Sequence, residues 1–281
     1  MTKFYHFTST DTLDKMLTKS IVVDENTKQL YIEFWATGIN ALNDTSERDL
    51  FVNALTKEVR QYARKIGSIL TDEQEKELRK LCYSALYVIS LTSSSLSISD
   101  ELCMWRGYAG NGTGVCLELD FSRILPFYPN QKTGGYQMED VYILQRCEYV
   151  NPDEITIEQD LVKQIYDVLL ISEQETLEIT VRKAGIIAKI ARLAPFYKHK
   201  AYESENEWRF VINSNKEPSY RKRGNLIIPY VTYRIPVSAI SSIKIGPCIK
   251  DTDETNNLEK FIYNKLGADV EIKYSDIPYR G

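Results

Sequence analysis

The chain contains no run of ~18 apolar residues, and its first residues, MTKFYHFTSTDTLDKML, lack a basic start followed by a continuous apolar stretch. Neither a membrane-spanning helix nor a secretory signal is expected, so the sequence reads as cytoplasmic, with no membrane partner. Cysteine is scarce: Cys82, Cys103, Cys116, Cys147 and Cys248 form an odd, widely spaced set without a C-x-x-C pair. Such spacing argues against a disulfide framework and for reduced, mostly buried thiols. Histidine is scarcer still. His6 and His199 lie far apart with no cysteine nearby at ligand spacing, so no metal site is expected and no Ser-His-Asp or Cys-His nucleophile pair can be built. Neither G-x-x-x-x-G-K-[ST] nor G-x-G-x-x-G occurs, and Gly110-Asn111-Gly112-Thr113-Gly114 lacks the phosphate-binding lysine, which disfavours nucleotide hydrolysis of those types. Internal repeats, low-complexity tracts and linker-like Pro/Gly/Ser stretches are also missing.

What is present is ordinary globular composition: 281 residues, 43% hydrophobic and 26% charged, enough to bury a sizeable core. We expect a single domain over 1–281, with a helical insertion over 153–195. The net charge of -4 speaks against a broad nucleic-acid-binding surface, although a local basic patch can still hold phosphates. Two such patches exist, Lys198-His199-Lys200 and Arg221-Lys222-Arg223, and both read first as a solvated loop and a turn.

Along the chain, residues 3–8 alternate as a short strand, with Phe4, His6 and Thr8 on one face and Tyr5 and Phe7 on the other. Ser9 to Thr12 supply capping side chains for a helix of about two turns carrying Leu13, Met16 and Leu17. Strands are expected at 21–23 and 31–37, helices at about 46–66 and 72–82, and a buried strand at 85–92 that opens into a loop. A short helix at 100–109, a glycine turn and a strand at 115–119 follow. Apolar residues at three- and four-residue spacing from about 153 to 192 predict a helical hairpin. Strand patterns return at 207–212, 225–235 and 239–245, then a helix at about 252–265 and a last strand near 270–274.

Three places carry reactive side chains. Glu205 and Glu207 stand two apart at the mouth of a strand-like run; in a strand, positions i and i+2 project to one side, so both carboxylates would enter one cleft. Like charges there cost free energy unless a cation, hydrogen bonds or a substrate compensates; otherwise they face water at an exposed edge, aided by Arg209. Ser90 and Thr92 share a strand side in the same way, suited to a sugar hydroxyl or phosphate, or simply to capping the next turn. His6 would meet a ligand if its strand face lines a cleft, and otherwise is a satisfied core residue.

Read in chain order, Tyr5-His6-Phe7-Thr8-Ser9, Leu42-Asn43-Asp44 with Glu47, Ser90-Leu91-Thr92, Met104-Trp105 with Tyr108-Ala109, Gly114-Val115-Cys116-Leu117-Glu118 and Glu205-x-Glu207-Trp208-Arg209 closely resemble the prokaryotic family known as domain of unknown function 2971. Ile245-Gly246-Pro247 and Pro278-Tyr279-Arg280 fit it too, so the resemblance runs over nearly the whole chain. More distantly, a histidine on a first strand, a Ser/Thr strand end and a later E-x-E resemble the ADP-ribosyltransferase superfamily, and the opening Tyr5-His6-Phe7-Thr8 resembles its DNA-modifying toxins. This resemblance implies an α+β fold with a split β-sheet core and flanking helices. It implies NAD as substrate, Glu207 and Glu205 as catalytic carboxylates, and His6, Thr8, Ser90, Thr92, Tyr108 and Arg209 around the cofactor. The second motif reads S-L-T here, so Ser90, Thr92 and Tyr108 all stand as occupants of its position. The activity implied is an NAD-dependent ADP-ribosyltransferase or NAD glycohydrolase of the toxin or phage-defence type, with a protein or nucleic-acid acceptor and an antitoxin or defence-system partner. The alternative on the same fold is a non-catalytic nucleotide or nucleic-acid binding module; a hydrolase acting on another glycosidic or phosphoester bond is a third reading.

Overall fold

The computed structural model describes residues 3–42, 45–83, 86–93, 100–124, 141–171, 176–214, 216–249 and 252–280. The motif residues Asn43 and Asp44, and the side chain of Glu47, fall outside that description. Strand β1 (Lys3–Thr8) leads into helix α1 (Thr10–Lys19), where the Ser9 side chain accepts the Thr12 amide at 3.1 Å and so caps the helix as its sequence suggests. The helix runs nearly three turns rather than two and buries Leu13, Met16 and Leu17. Next come β2 (Ile21–Val23), β3 (Leu30–Gly38), α2 (Thr45–Lys65), α3 (Asp72–Tyr83), β4 (Leu86–Ser93), α4 (Leu102–Tyr108) and β5 (Val115–Asp120). The second half holds β6 (Val141–Arg146), β7 (Glu148–Val150), α5 (Gln159–Leu170), α6 (Leu177–Ala191), β8 (Tyr197–His199), β9 (Glu207–Asn213), β10 (Ser219–Arg223), β11 (Leu226–Pro236), β12 (Ile240–Ile245), α7 (Thr252–Leu266) and β13 (Glu271–Tyr274).

The result is a mixed α+β architecture built on an 11-stranded, mostly antiparallel sheet, with β12 and β13 parallel and a separate two-stranded sheet of β7 and β8. Strand β4 organises it. Along one edge it pairs with β9 from Leu86↔Asn213 to Thr92↔Glu207. Both remaining partners must therefore share the other edge: β3 at Tyr87 and Val88, and β1 at Thr92 and Ser93. Between those contacts β4 has no strand neighbour on that side among the described residues, so the sheet forks at Ile89–Leu91.

Apolar side chains cover the sheet unevenly. One cluster joins Phe4, Phe34, Leu91, Leu117 and Phe210 to the inner faces of α1 and α7. A second is wholly separate: α2, α3, α5 and α6 pack on one another through Leu55, Val59, Leu78, Ile165 and Ile190. The predicted helical hairpin thus exists as α5 and α6, and it shares its apolar core with two earlier helices. Phe196, Ala191 and Val211 join this helical layer to β4, while Tyr5, Phe7 and Trp105 seat α4 against β1.

Several sequence expectations need correction. Arg221-Lys222-Arg223 is the end of strand β10, paired with Leu226–Ile228, not a turn. Strands β6, β7 and β8 lie where no strand was expected. Lys198, read as part of a solvated loop, is 2% exposed. β7 and β8 are three residues long and β10 carries three cations in five residues, so neither length nor alternation marks them, whereas the Val141-Tyr142-Ile143-Leu144 run of β6 does carry strand-forming residues.

Candidate functional site

At the fork, the His6 Nδ1 lies 3.0 Å from the Ser90 carbonyl oxygen. A carbonyl only accepts, so Nδ1 carries the proton and Nε2 is left as an acceptor in the neutral ring. Burial pushes the imidazole below its usual range, against the opposing effect of that hydrogen bond, so neutrality holds at physiological pH. The ring packs edge-on to Phe34, centroids 5.3 Å apart, which fixes its orientation.

Glu205 and Glu207 do converge, but not by the pleat of a strand. Glu205 ends a 3-10 turn (Lys200–Glu205), Asn206 adopts a left-handed backbone with φ 42°, and only Glu207 opens β9. What unites the carboxylates is Lys198, whose Nζ donates to Glu205 Oε2 at 2.5 Å and to Glu207 Oε2 at 2.7 Å. This is the compensating cation that two neighbouring glutamates require. Arg209 adds a forked pair, Nε to Glu207 Oε1 at 3.0 Å and Nη2 to Glu207 Oε2 at 3.1 Å, while its Nη1 donates to the Pro195 carbonyl at 2.6 Å. Burial alone would raise the Glu207 carboxyl, but the Arg209 and Lys198 charges and hydrogen bonds outweigh it and bring it down to about 2. Glu207 is thus ionised at neutral pH and is not a proton donor there. Among the described residues Lys198 and Arg209 donate to Oε2 and Arg209 Nε donates to Oε1, and a carboxylate has room for about four donors.

Tyr108, Ser90, Thr92 and Thr8 differ in how they lie relative to this group. The Tyr108 hydroxyl donates to Glu205 Oε2 at 2.8 Å, and burial pushes its phenol up, so it stays protonated. Ser90 sits opposite Arg209 in the β4–β9 ladder and borders the cleft. Thr92 is fully buried and its Oγ1 donates to the Asn206 carbonyl at 3.4 Å, so it props the Glu205–Asn206–Glu207 bend from behind rather than facing the cleft. Thr8 is 6% exposed and borders the cleft at the end of β1. Lys198 was read only as part of a basic loop, not as a partner of the glutamates, and one residue went unread: Tyr149, whose hydroxyl accepts the Glu207 amide at 2.6 Å. The glutamate pair left a cation as one of its possible partners, and the apolar Ala194-Pro195-Phe196 before Lys198 was the signal that its strand is buried.

His6, Thr8, Ser90, Tyr108, Lys198, Glu207 and Arg209 all border one open cleft of about 1380 Å³. Its walls carry seven cationic side chains and only three carboxylates, in a chain of net charge -4, so the basic residues concentrate where a ligand would enter. Asp11 pairs with Lys15 and Glu33 with Arg234, so the wall carboxylates are already engaged. Among the described residues no cluster of His, Cys, Asp or Glu is arranged to hold a metal ion, and no helix is long and apolar enough to cross a membrane.

No curated protein and no solved structure matches the chain. A match to one family model does emerge, narrower than the resemblance traced over nearly the whole sequence: it takes in Trp105, Tyr108, Lys198, Glu205, Glu207 and Arg209 and leaves His6 and Ser90 outside. Residues 104–210 match the family described as "Protein of unknown function (DUF2971)".

Proposed function

We propose that the chain is an NAD-dependent ADP-ribosyltransferase or NAD glycohydrolase that cleaves the nicotinamide–ribose bond, on an ADP-ribosyltransferase-like split sheet. The observation that carries this reading is a Glu207 ionised at neutral pH in a cationic cleft that also takes in His6 and Ser90. Nicotinamide leaves a cationic ring as a neutral molecule, so no general acid is needed; the demand is for a fixed anion and a hydrogen-bond acceptor near an oxocarbenium-like ribose. Glu207 Oε1 would accept the ribose 2'-hydroxyl, and the neutral His6 Nε2 would accept from the nicotinamide amide or a ribose hydroxyl. Glu205, held by Tyr108 and Lys198, would orient the acceptor, whether water, protein or nucleic acid. The low Glu207 carboxyl counts against a glycosidase of the protonating kind, which needs a carboxyl raised towards neutrality.

One observation favours a second reading. Lys198 and Arg209 neutralise the two glutamates, which weakens the field at a developing cation and suits a module that binds a nucleotide without turning it over. Incubation with NAD and quantitation of free nicotinamide separates the two. The wild type should release nicotinamide, and Glu207→Gln should lower release by roughly 100-fold or more, the scale of losing one preorganised electrostatic contact. Tyr108→Phe, which keeps the Glu207 cluster intact, guards against loss through unfolding and should still lower release. NAD binding without nicotinamide establishes the binding module; release that Glu207→Gln leaves unchanged overturns the proposal.

A further inference from the structure

The wall of the cleft formed by β3, β10 and β11 carries a feature that bond cleavage does not use. Arg221 and Arg223 stand two apart on β10, so both side chains project from one strand face. The Arg221 guanidinium lies 5.3 Å from the Trp35 ring centroid and 5.9 Å from that of Tyr230. Its Nη2 donates to Thr37 Oγ1 at 2.8 Å, and Arg223 Nη2 donates to the Ala41 carbonyl at 2.7 Å. Among the described residues neither guanidinium has a carboxylate in salt-bridge contact, whereas Arg209, in the same cleft, is fully paired. The Arg221 Nε is shut off from solvent and has no hydrogen-bond partner. A buried, unmet guanidinium donor and two neighbouring like charges both cost free energy, so a fold that keeps them is poised to gain from an anion.

We infer that Arg221 and Arg223 form a diphosphate subsite, in which one oxyanion meets each guanidinium and the Trp35–Tyr230 pair fixes the Arg221 plane. Planar guanidiniums suit phosphate oxygens because their donors match the acceptor spacing in pairs. The inference uses the cleft as a nucleotide site and is independent of whether the glycosidic bond is broken there. Lys19 and Lys222 on the same walls add to the attraction without fixing geometry.

Calorimetric titration with inorganic pyrophosphate and with ADP at low salt tests the assignment. Both should bind the wild type, adenosine should bind far more weakly, and Arg221→Lys and Arg223→Gln should each weaken pyrophosphate roughly tenfold, the scale of a lost charge-assisted pair. Arg221→Lys keeps the charge and Arg223 lies outside the aromatic stack, so the two do not share one route to misfolding; melting curves confirm that each variant is folded. Lys260→Met removes a cation from the exposed side of α7 and should leave binding within about twofold, as expected for a long-range screened charge. Undetectable pyrophosphate binding, affinity unchanged in both arginine variants, or equal loss in Lys260→Met would each overturn the subsite. A protein that binds pyrophosphate through these arginines yet releases no nicotinamide removes the NAD chemistry and leaves the subsite standing. Nicotinamide release with unaltered KM in both arginine variants does the reverse.

Discussion

Glu207 shows how one side chain can be both a stability element and a reaction centre. Its carboxyl falls from the ordinary 4.5 to about 2 because Arg209 and Lys198 more than offset the cost of burying it. A carboxyl that is lower in the folded chain contributes stability that is complete above the unfolded value and disappears as pH falls through the folded one. The expected outcome is an acid limb between about pH 4.5 and 2 in urea-melt stability, shallower in Glu207→Gln. The same variant should lose stability at neutral pH by about 3 kcal/mol, because it strands the buried Arg209 guanidinium, while Lys198 keeps Glu205. An identical acid limb in the variant would show that the cluster does not depend on Glu207 ionisation. The closeness of Glu205 and Glu207 was legible in the sequence, with a cation, hydrogen bonds or a substrate all open as what offsets their repulsion. Which of them it is was not, because Lys198 lies seven residues before Glu205 on a three-residue strand whose burial depends on α2 and the layer beneath it.

At the scale of elements, the site depends on how closely backbones approach where β1, α4 and β5 meet. A Cβ placed on Gly114 would lie 2.2 Å from the Thr8 carbonyl and 2.8 Å from that of Ala109, so only glycine lets β5 start there. Gly185, in the middle of α6, has nothing within 4 Å of the same added atom. Gly114→Ala should therefore destabilise by about 3 kcal/mol, at the top of the overpacking range, while Gly185→Ala should stabilise by up to about 1 kcal/mol through helix propensity. Thermal melts of the two variants check the contrast; equal shifts would refute the close approach. Elements with a strong period were read well: α1, α2, α3, α7, β1, β4 and β5 fall within a few residues of their expected bounds. β10 was not, because Ser219–Arg223 carries three cations in five residues and pairs only through β11. The left-handed Asn206, which turns two glutamates from strand neighbours into partners of one lysine, likewise leaves no periodic trace.

At the scale of the molecule, charge is segregated rather than balanced. A chain of net charge -4 collects seven cationic side chains around one cleft, and the acid on the Arg221–Arg223 wall, Glu33 of β3, is paired with Arg234. Such an arrangement repels anions at long range and captures them at short range, so its effect on binding depends strongly on ionic strength. Screening shortens the reach of exposed charges from about 10 Å at 0.1 M salt to about 3 Å at 1 M. That range spans the cleft wall but not the Lys198–Glu207–Arg209 cluster, whose members touch and are shielded from water. Raising salt from 0.05 to 0.5 M should thus weaken ADP and pyrophosphate binding by about tenfold or more, while the melting temperature moves little. Titrations at four salt concentrations beside parallel melts decide it. A salt-insensitive affinity would mean that the cleft selects its ligand by shape and hydrogen bonds alone. A melting temperature that falls in step with affinity would instead place the responsive charges in the fold, not in the ligand site.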